Sequence, residues 1–287
     1  MRWVVMGSGG MLGTDVVALA RAAGHDVVAH GRATVDILDA AAVAGALEGA
    51  DVVVNCAAWT AVDLAEERES EAFQVNATAP QVLARCAAAV GARIVQISTD
   101  YVFPGDAAAP YGETDLAAPR SAYGRTKLAG EWAVRAEAPD HLVVRTAWLY
   151  GAAGGCFPRT IVRAMAKRGA LTVVADQVGQ PTWTQDLADL VLRLVAAEAP
   201  SGTYHGTASG STSWHGFAQE AVAAAGLDRA AVTPVTSAEY AQAAPRPAYS
   251  VLGHDALERI GVAPIGDWRE RWQVAADQVL DGVLAAG

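Results

Sequence analysis

Lysine is almost missing from this sequence. Of its 21 basic residues only Lys127 and Lys167 are lysine. A net charge of −10 and a pI near 5.0 leave no clustered basic surface for a nucleic-acid partner, so any phosphate must be held locally. Cysteine is nearly as scarce. Cys56, Cys86 and Cys156 are odd in number and widely scattered. They lack the paired spacing of a disulfide or zinc framework and read as small buried thiols in a reducing compartment. None has a histidine-bearing motif around it, which argues against a cysteine nucleophile. Also absent is any apolar run near the length of a membrane span, and "MRWVVMG" passes straight into a strand pattern without a long apolar leader. The expectation is a cytoplasmic protein that meets neither membrane nor nucleic acid. No repeat and no flexible linker interrupts the chain.

What is present is apolar material, 52% of 287 residues, enough to close a large core without staples. Short β-branched runs alternate with alanine-rich helical stretches, the signature of a parallel sheet covered on both faces. Predicted strands are "RWVVM" (2–6), "DVVAH" (26–30), "DVVVNC" (51–56), "RIVQIS" (93–98) and "HLVVRT" (141–146). Helices are predicted near 11–23, 40–48, 78–90 and 121–137. The fold class is therefore α/β, a Rossmann-type doubly wound parallel sheet, with a smaller C-terminal substrate-binding lobe. Residues 1–150 form one expected domain and 151–287 mainly a smaller lobe, with about 171–206 returning to the sheet. Beyond residue 150 the pattern gives a helix at "FPRTIVRAMAKRG", the strand "LTVV", a helix from Thr184 to about Ala197, and a helix capped near Ser213. A cleft between the two parts is the default binding site.

Gly7, Gly10 and Gly13 follow the first strand and open a helix. They permit a tight turn, close approach of a pyrophosphate and close helix packing, while the helix N-terminus offers free N–H donors. No Lys-Ser or Lys-Thr follows, so this is not a P-loop. At the end of the second strand stand His30, Gly31 and Arg32, where an acidic residue would select NAD. A guanidinium there favours NADPH, with NADH still possible; a solvated loop arginine is the other reading. Asp36 is placed to reach the adenine side. Ala57, Ala58 and Thr60, after the third strand, are small enough to pass beneath phosphates and ribose.

Tyr123 and Lys127 lie four apart on a predicted helix and so share a face. A cation beside the phenol is expected to draw its pKa down toward the working range. At the carboxyl end of the fourth strand, Ser98 and Thr99 are candidates to hold a substrate oxygen, because open parallel sheets place ligands there. Thr99, Tyr123 and Lys127 together spell carbonyl reduction, with hydride from the cofactor and a proton from the phenol.

On "GSGGMLG", "NCAAWTAVDLAE", "STDYVFPG", "YGETD", "YGRTKLAGE", "RTAWLYG", "DQVGQPT", "YHGTASGSTSWHGFA" and "PRPAYS", the sequence resembles the extended short-chain dehydrogenase/reductases and, among them, the dTDP-4-dehydrorhamnose reductases. The resemblance spans nearly the whole chain. It implies reduction of the 4-keto group of a dTDP-linked 6-deoxy sugar, with residues 1–150 as the NAD(P)-binding domain and 151–287 mainly as the sugar-nucleotide-binding lobe. It implies Tyr123 as proton donor with Lys127 as its partner, Thr99 and Asp100 at the sugar, Trp148 lining the sugar pocket, and Arg246 at the nucleotide diphosphate. For Trp148 and Arg246 a core position and a carboxylate partner, respectively, stay open. Gly10, Met11, Leu12, Asp36, Ile37, Ala58, Trp59 and Thr60 match positions that touch the cofactor. Some relatives bridge a dimer through magnesium held by glutamates; here Asp15 and Gln185 stand at the matching positions, so no metal is expected. Monomer and homodimer both stay open. Another dTDP-deoxysugar of an antibiotic pathway, such as dihydrostreptose, fits the same residues. A non-catalytic NADP-binding regulatory subunit would be free to lose the tyrosine or lysine, and this chain keeps both.

Overall fold

The computed structural model describes residues 1–240 and 242–284; the last three positions of the expected second lobe lie outside them. Strands β1 (Arg2–Met6), β2 (Asp26–His30), β3 (Val52–Asn55), β4 (Arg93–Thr99) and β5 (His141–Thr146) run parallel, alternating with helices α1 (Met11–Ala22), α2 (Ala40–Ala46), α3 (Val62–Glu67), α4 (Glu69–Phe73), α5 (Ala79–Ala89) and α6 (Ala122–Glu137). The second half adds β6 (Leu149–Tyr150), α7 (Phe157–Arg168), β7 (Leu171–Val174), β8 (Val178–Gly179), β9 (Thr182–Trp183) and α8 (Thr184–Ala196). It continues with β10 (Gly202–His205), β11 (Ala208–Ser209), β12 (Thr212–Ser213), α9 (Trp214–Ala224), β13 (Val232–Val235), α10 (Asp255–Arg259), β14 (Ile265–Asp267) and α11 (Trp268–Leu280).

The main sheet has the order β10-β5-β4-β3-β1-β2. Its strands read as unbroken apolar runs because both faces are covered. In β1, Trp3 and Val5 enter one core with α1 and α8, while Val4 and Met6 enter the other with α2 and α5. Chain order reverses between β1 and β3, so the loops after these two strands diverge and open a crevice at their carboxyl ends.

Of the stretch 171–206, α8 packs on the main sheet's α1 and β10 joins the sheet beside β5. The predicted strand "LTVV" does not. As β7 it pairs with β13, and Val173 and Val232 share a separate small core with Met165, Ala218 and Val222. Its four residues were legible as a strand, but the partner lies about sixty residues downstream and leaves no local signal.

Candidate active site

The loop after β1 is built for close approach. Gly7 has φ +76, and a Cβ there would stand 2.6 Å from the Ala57 nitrogen; a Cβ at Gly13 would stand 2.3 Å from the Gly7 carbonyl oxygen. Only hydrogen fits at either position. Gly10 caps α1 in an extended conformation with no side chain satisfying the helix's first N–H groups, which leaves donors for an anion at the positive end of the helix. Two adjoining hollows flank this loop and share Gly9, Gly10, Cys56, Ala57 and Ala58. One, of about 780 Å³, is lined by Gly7, His30, Arg32, Asp36 and Ile37. The other, of about 590 Å³, is lined by Met11, Leu12, Gly13, Thr60, Thr99, Asp100, Tyr123, Lys127 and Trp148. The residues fit a dinucleotide laid across the glycine loop, its adenosine end in the first hollow and its reactive end in the second.

Arg32 is exposed at the rim of the first hollow, while the Asp36 carboxylate accepts from the Leu38 N–H at 2.9 Å. Trp59, by contrast, is not in the lining of either hollow. Its Nε1 donates to the Ala61 carbonyl and Arg68 lies over its ring. What the backbone at Trp59 does is fixed by Asn76, which accepts from the Trp59 N–H at 2.8 Å and donates to its carbonyl at 3.1 Å and to Thr126 on α6 at 3.0 Å. Asn76 sits in a π-helical turn, Gln74–Thr78, that no local pattern announces.

Ser121 caps α6 by accepting from the Gly124 N–H. Along one face of this helix follow Tyr123, Lys127 and Glu131, all buried. Lys127 Nζ donates to the Ile97 carbonyl of β4 at 2.6 Å. Burial lowers its pKa to about 8, against an opposing pull from Glu131. Burial also dominates at Tyr123 and pushes the phenol up to about 12, the Thr99 hydroxyl opposing and Asp100 adding to the rise. The expectation that Lys127 draws this phenol down is corrected here: the ammonium is tied to a strand carbonyl, and desolvation outweighs any cation.

At the end of β4, the Thr99 hydroxyl donates to Asp100 at 2.9 Å. Burial raises Asp100 to about 6, with Ser250 and Thr99 opposing. The Ser250 hydroxyl lies beside this carboxyl without full hydrogen-bond geometry, and Asp100 Oδ2 and Ser250 Oγ are both buried without a complete partner. Ser98 also lines the cavity but spends its hydroxyl proton on Glu131 at 2.6 Å, whereas Thr99 lies beside Asp100 and Tyr123. Arg246 pairs with Asp63 through Nη2 at 2.6 Å, leaving Nη1 buried and unpartnered. It lines a small hollow that shares Tyr101 with the main cavity. Trp148 is half-buried at the cavity wall with φ +46, a left-handed conformation that costs a non-glycine residue on the order of 1–2 kcal/mol. Sequence reasoning missed Trp214, which lines the same wall, and Ser250.

A buried phenol, a buried ammonium and a strand-end hydroxyl around one cavity, beside a dinucleotide cradle, can protonate an oxygen while a hydride reaches its carbon. Residues 1–280 match the family model described as RmlD substrate binding domain. A dTDP-4-dehydrorhamnose reductase of Streptomyces griseus is 47% identical over 93% of this chain and 90% of its own. A probable dTDP-4,6-dihydroxy-2-methyloxan-3-one 4-ketoreductase of Streptomyces antibioticus is 46% identical over 98% of this chain and 96% of its own. Among solved structures, a dTDP-4-dehydrorhamnose reductase of Bacillus anthracis in complex with NADP superposes with a TM-score of 0.92 at 34% identity, covering 96% of this chain and 98% of that one.

Proposed function

This chain belongs to the RmlD substrate-binding-domain family, and from that membership we propose that it is an NAD(P)H-dependent oxidoreductase that reduces the 4-keto group of dTDP-4-dehydro-L-rhamnose to dTDP-L-rhamnose. The observation that carries the reading is that Thr99, Tyr123 and Lys127 meet in one cavity with the N-terminus of α1. Bound reduced nicotinamide supplies the hydride. The chain's own groups handle the oxygen. The Tyr123 hydroxyl donates to the keto oxygen, joined by the Thr99 hydroxyl once its proton turns from Asp100 to the substrate, and as negative charge grows on that oxygen the phenol releases its proton to it. The C=O π bond becomes C–H and O–H. With its pKa raised to about 12 the phenol keeps its proton until needed, and an alkoxide is a strong enough base to take it. Lys127 holds a positive charge in the same cavity and fixes α6 to β4.

Gly7, Gly10, Met11, Leu12, Gly13, Ala57, Ala58 and Thr60 form the cofactor's bed in this reading, with Ile37 and Asp36 at the adenosine and Arg32 toward a 2′-phosphate. NADPH is thus the favoured reductant. The division near residue 150 into a cofactor half and a sugar-nucleotide lobe belongs to the same proposal, as does a cytoplasmic location, where nicotinamide and nucleotide sugars are made. Among the described residues no helix is long and apolar enough to cross a membrane.

A second reading keeps the chemistry and changes the sugar, since the Streptomyces antibioticus relative is named for a different dTDP-linked ketone. Incubation with dTDP-4-dehydrorhamnose and each reduced nicotinamide in turn, with identification of the product's stereochemistry, tests the first; a panel of dTDP-4-keto-6-deoxy sugars tests the second. Tyr123→Phe is expected to lower kcat by about 10²–10⁴-fold with NADPH still bound. Intact turnover in that variant removes Tyr123 as the proton donor.

A further inference from the structure

The motif "NCAAWTAVDLAE" ends on Glu66, which lines neither hollow. Its carboxylate lies at the start of α6. A helix leaves its first N–H groups without intrahelical partners, and in α6 these belong to the turn that carries Tyr123. The Arg125 N–H opens the ladder by donating to the Ser121 carbonyl at 3.0 Å. Ser121 Oγ accepts from the Gly124 N–H at 3.1 Å, and Glu66 Oε1, on α3, accepts from the Ala122 N–H at 2.8 Å. The residues on either side of Tyr123 are both held, one by a local cap and the other by a side chain 56 positions upstream. A carboxylate also suits the positive end of the helix dipole. Ala65, beside Glu66, packs with Ala122 and Tyr123 in a small core bounded by Trp59 and Tyr101. Such apolar contacts are short-ranged and directionless, so they fill the space beneath the phenol without fixing where its turn sits. The hydrogen bonds at Ala122 and Gly124 have direction and do fix it. One turn earlier on α3, Asp63 accepts from the Ala244 N–H at 3.0 Å and from Arg246 at 2.6 Å, so the helix that supplies Glu66 is itself anchored.

We propose that Glu66 is a positioning residue for proton transfer, its carboxylate bracing the first turn of α6 so that the Tyr123 hydroxyl stands where the keto oxygen arrives. The inference rests on Tyr123 as the proton donor. Glu66 acts through the backbone next to the phenol and touches none of the reacting groups. A phenol displaced by a fraction of an ångström still closes the cavity, but it no longer meets the oxygen at hydrogen-bond length, and proton transfer suffers from that misplacement far more than binding does. The effect therefore belongs to kcat. What the brace needs is an acceptor oxygen, which a carboxylate and an amide both supply.

The test is kcat for the dTDP-4-keto sugar in Glu66→Ala, Glu66→Gln and Glu66→Asp, the first and last also combined with Tyr123→Phe, with KM, NADPH affinity and amide exchange at Ala122 measured alongside. Glu66→Ala is expected to lower kcat by about tenfold to a hundredfold while KM and NADPH affinity stay within about twofold. Glu66→Gln, which keeps an acceptor oxygen, should hold kcat within about threefold of wild type. Added to Tyr123→Phe, Glu66→Ala should lower the remaining rate by less than about twofold, since a group acting through the phenol has nothing left to position. Exchange at Ala122 is expected to rise about tenfold in Glu66→Ala and to stay at the wild-type rate in Glu66→Gln. With an active wild type, unchanged kcat in Glu66→Ala overturns the proposal, makes Glu66 a plain helix cap and leaves the catalytic reading standing. A loss of the same size in the Tyr123→Phe background also overturns it, as does a loss that Glu66→Gln fails to recover. Should Glu66→Ala fail to fold, Glu66→Asp, one methylene short of the Ala122 N–H with its charge kept, decides alone by its kcat with and without the Tyr123 hydroxyl. A wild type that reduces no dTDP-4-keto sugar sinks the catalytic reading first and the role of Glu66 with it.

Discussion

At neutral pH the Tyr123 phenol keeps its proton and the Lys127 ammonium is close to losing one, because burial acts in opposite senses on an acid and a base. Lys127 is charged below about 8 and neutral above it. If its charge assists the forming oxyanion, kcat/KM should hold level up to that pH and then fall by about tenfold per unit. Loss of the Lys127 proton does not itself unfold the chain along this limb. With the folded pKa below the ordinary lysine value, the unfolded chain binds the extra proton between the two, so this group makes stability rise with pH across that window. Lys127→Arg should erase the limb, its guanidinium staying charged, while lowering the rate, since a planar fork suits the Ile97 carbonyl poorly. A basic limb that persists in Lys127→Arg would assign the titration to another group. The spacing of Tyr123 and Lys127 was plain in the sequence. Their protonation was not, because it depends on burial and on a strand carbonyl thirty residues away.

Helix α6 carries a third buried group on the same face, and that group sets the helix's height above the sheet. Glu131 accepts from Arg145 Nε at 2.9 Å and Nη2 at 2.8 Å, from Ser98 at 2.6 Å and from Arg135 at 3.1 Å. It thereby ties α6 to β4 and β5 at once. Arg145 is 3% exposed, so removing the carboxylate strands a buried guanidinium. Glu131→Gln is expected to cost about 3–5 kcal/mol in urea denaturation, whereas the pair Glu131→Leu with Arg145→Met should regain more than half of it. A loss below about 1 kcal/mol in the single variant would mean that Arg145 finds water or another partner. The elements legible beforehand were those whose pattern is local: β1 to β5, covered on both faces, and α6. The segment 62–78 was not legible. It breaks into α3, α4 and a π turn whose geometry answers to Asn76, Trp59 and Thr126 together. The Trp148–Trp214 pair was half legible, since Trp148 was read for the sugar pocket while Trp214 lay in a motif quoted for the resemblance and given no role at the site.

Across the whole molecule one returning segment of the second half reaches back to the cofactor half. Tyr249 and Leu252 bridge to Asp106 and Tyr111 near the end of β4, Ser250 lies beside Asp100, and Arg246 grips Asp63 at the start of α3. Although burial opposes it, the Ala244 N–H and the Arg246 guanidinium hold the Asp63 carboxyl below its usual range, so this tie persists at any pH where the enzyme works. Arg246 has more donors than Asp63 uses. Its Nη1 is buried without a partner, and a buried donor left unmade costs about 1–3 kcal/mol unless something arrives to accept from it. If the proposed sugar nucleotide binds in this cleft, its diphosphate is such an acceptor. Asp63→Asn removes only the carboxylate, whereas Arg246→Ala removes both the tie and the spare donor. Arg246→Ala should therefore raise the Kd for dTDP by about tenfold more than Asp63→Asn does, with NADPH affinity equal in the two. Matching losses in both variants would reduce Arg246 to a partner of Asp63 and move the diphosphate elsewhere in the cleft.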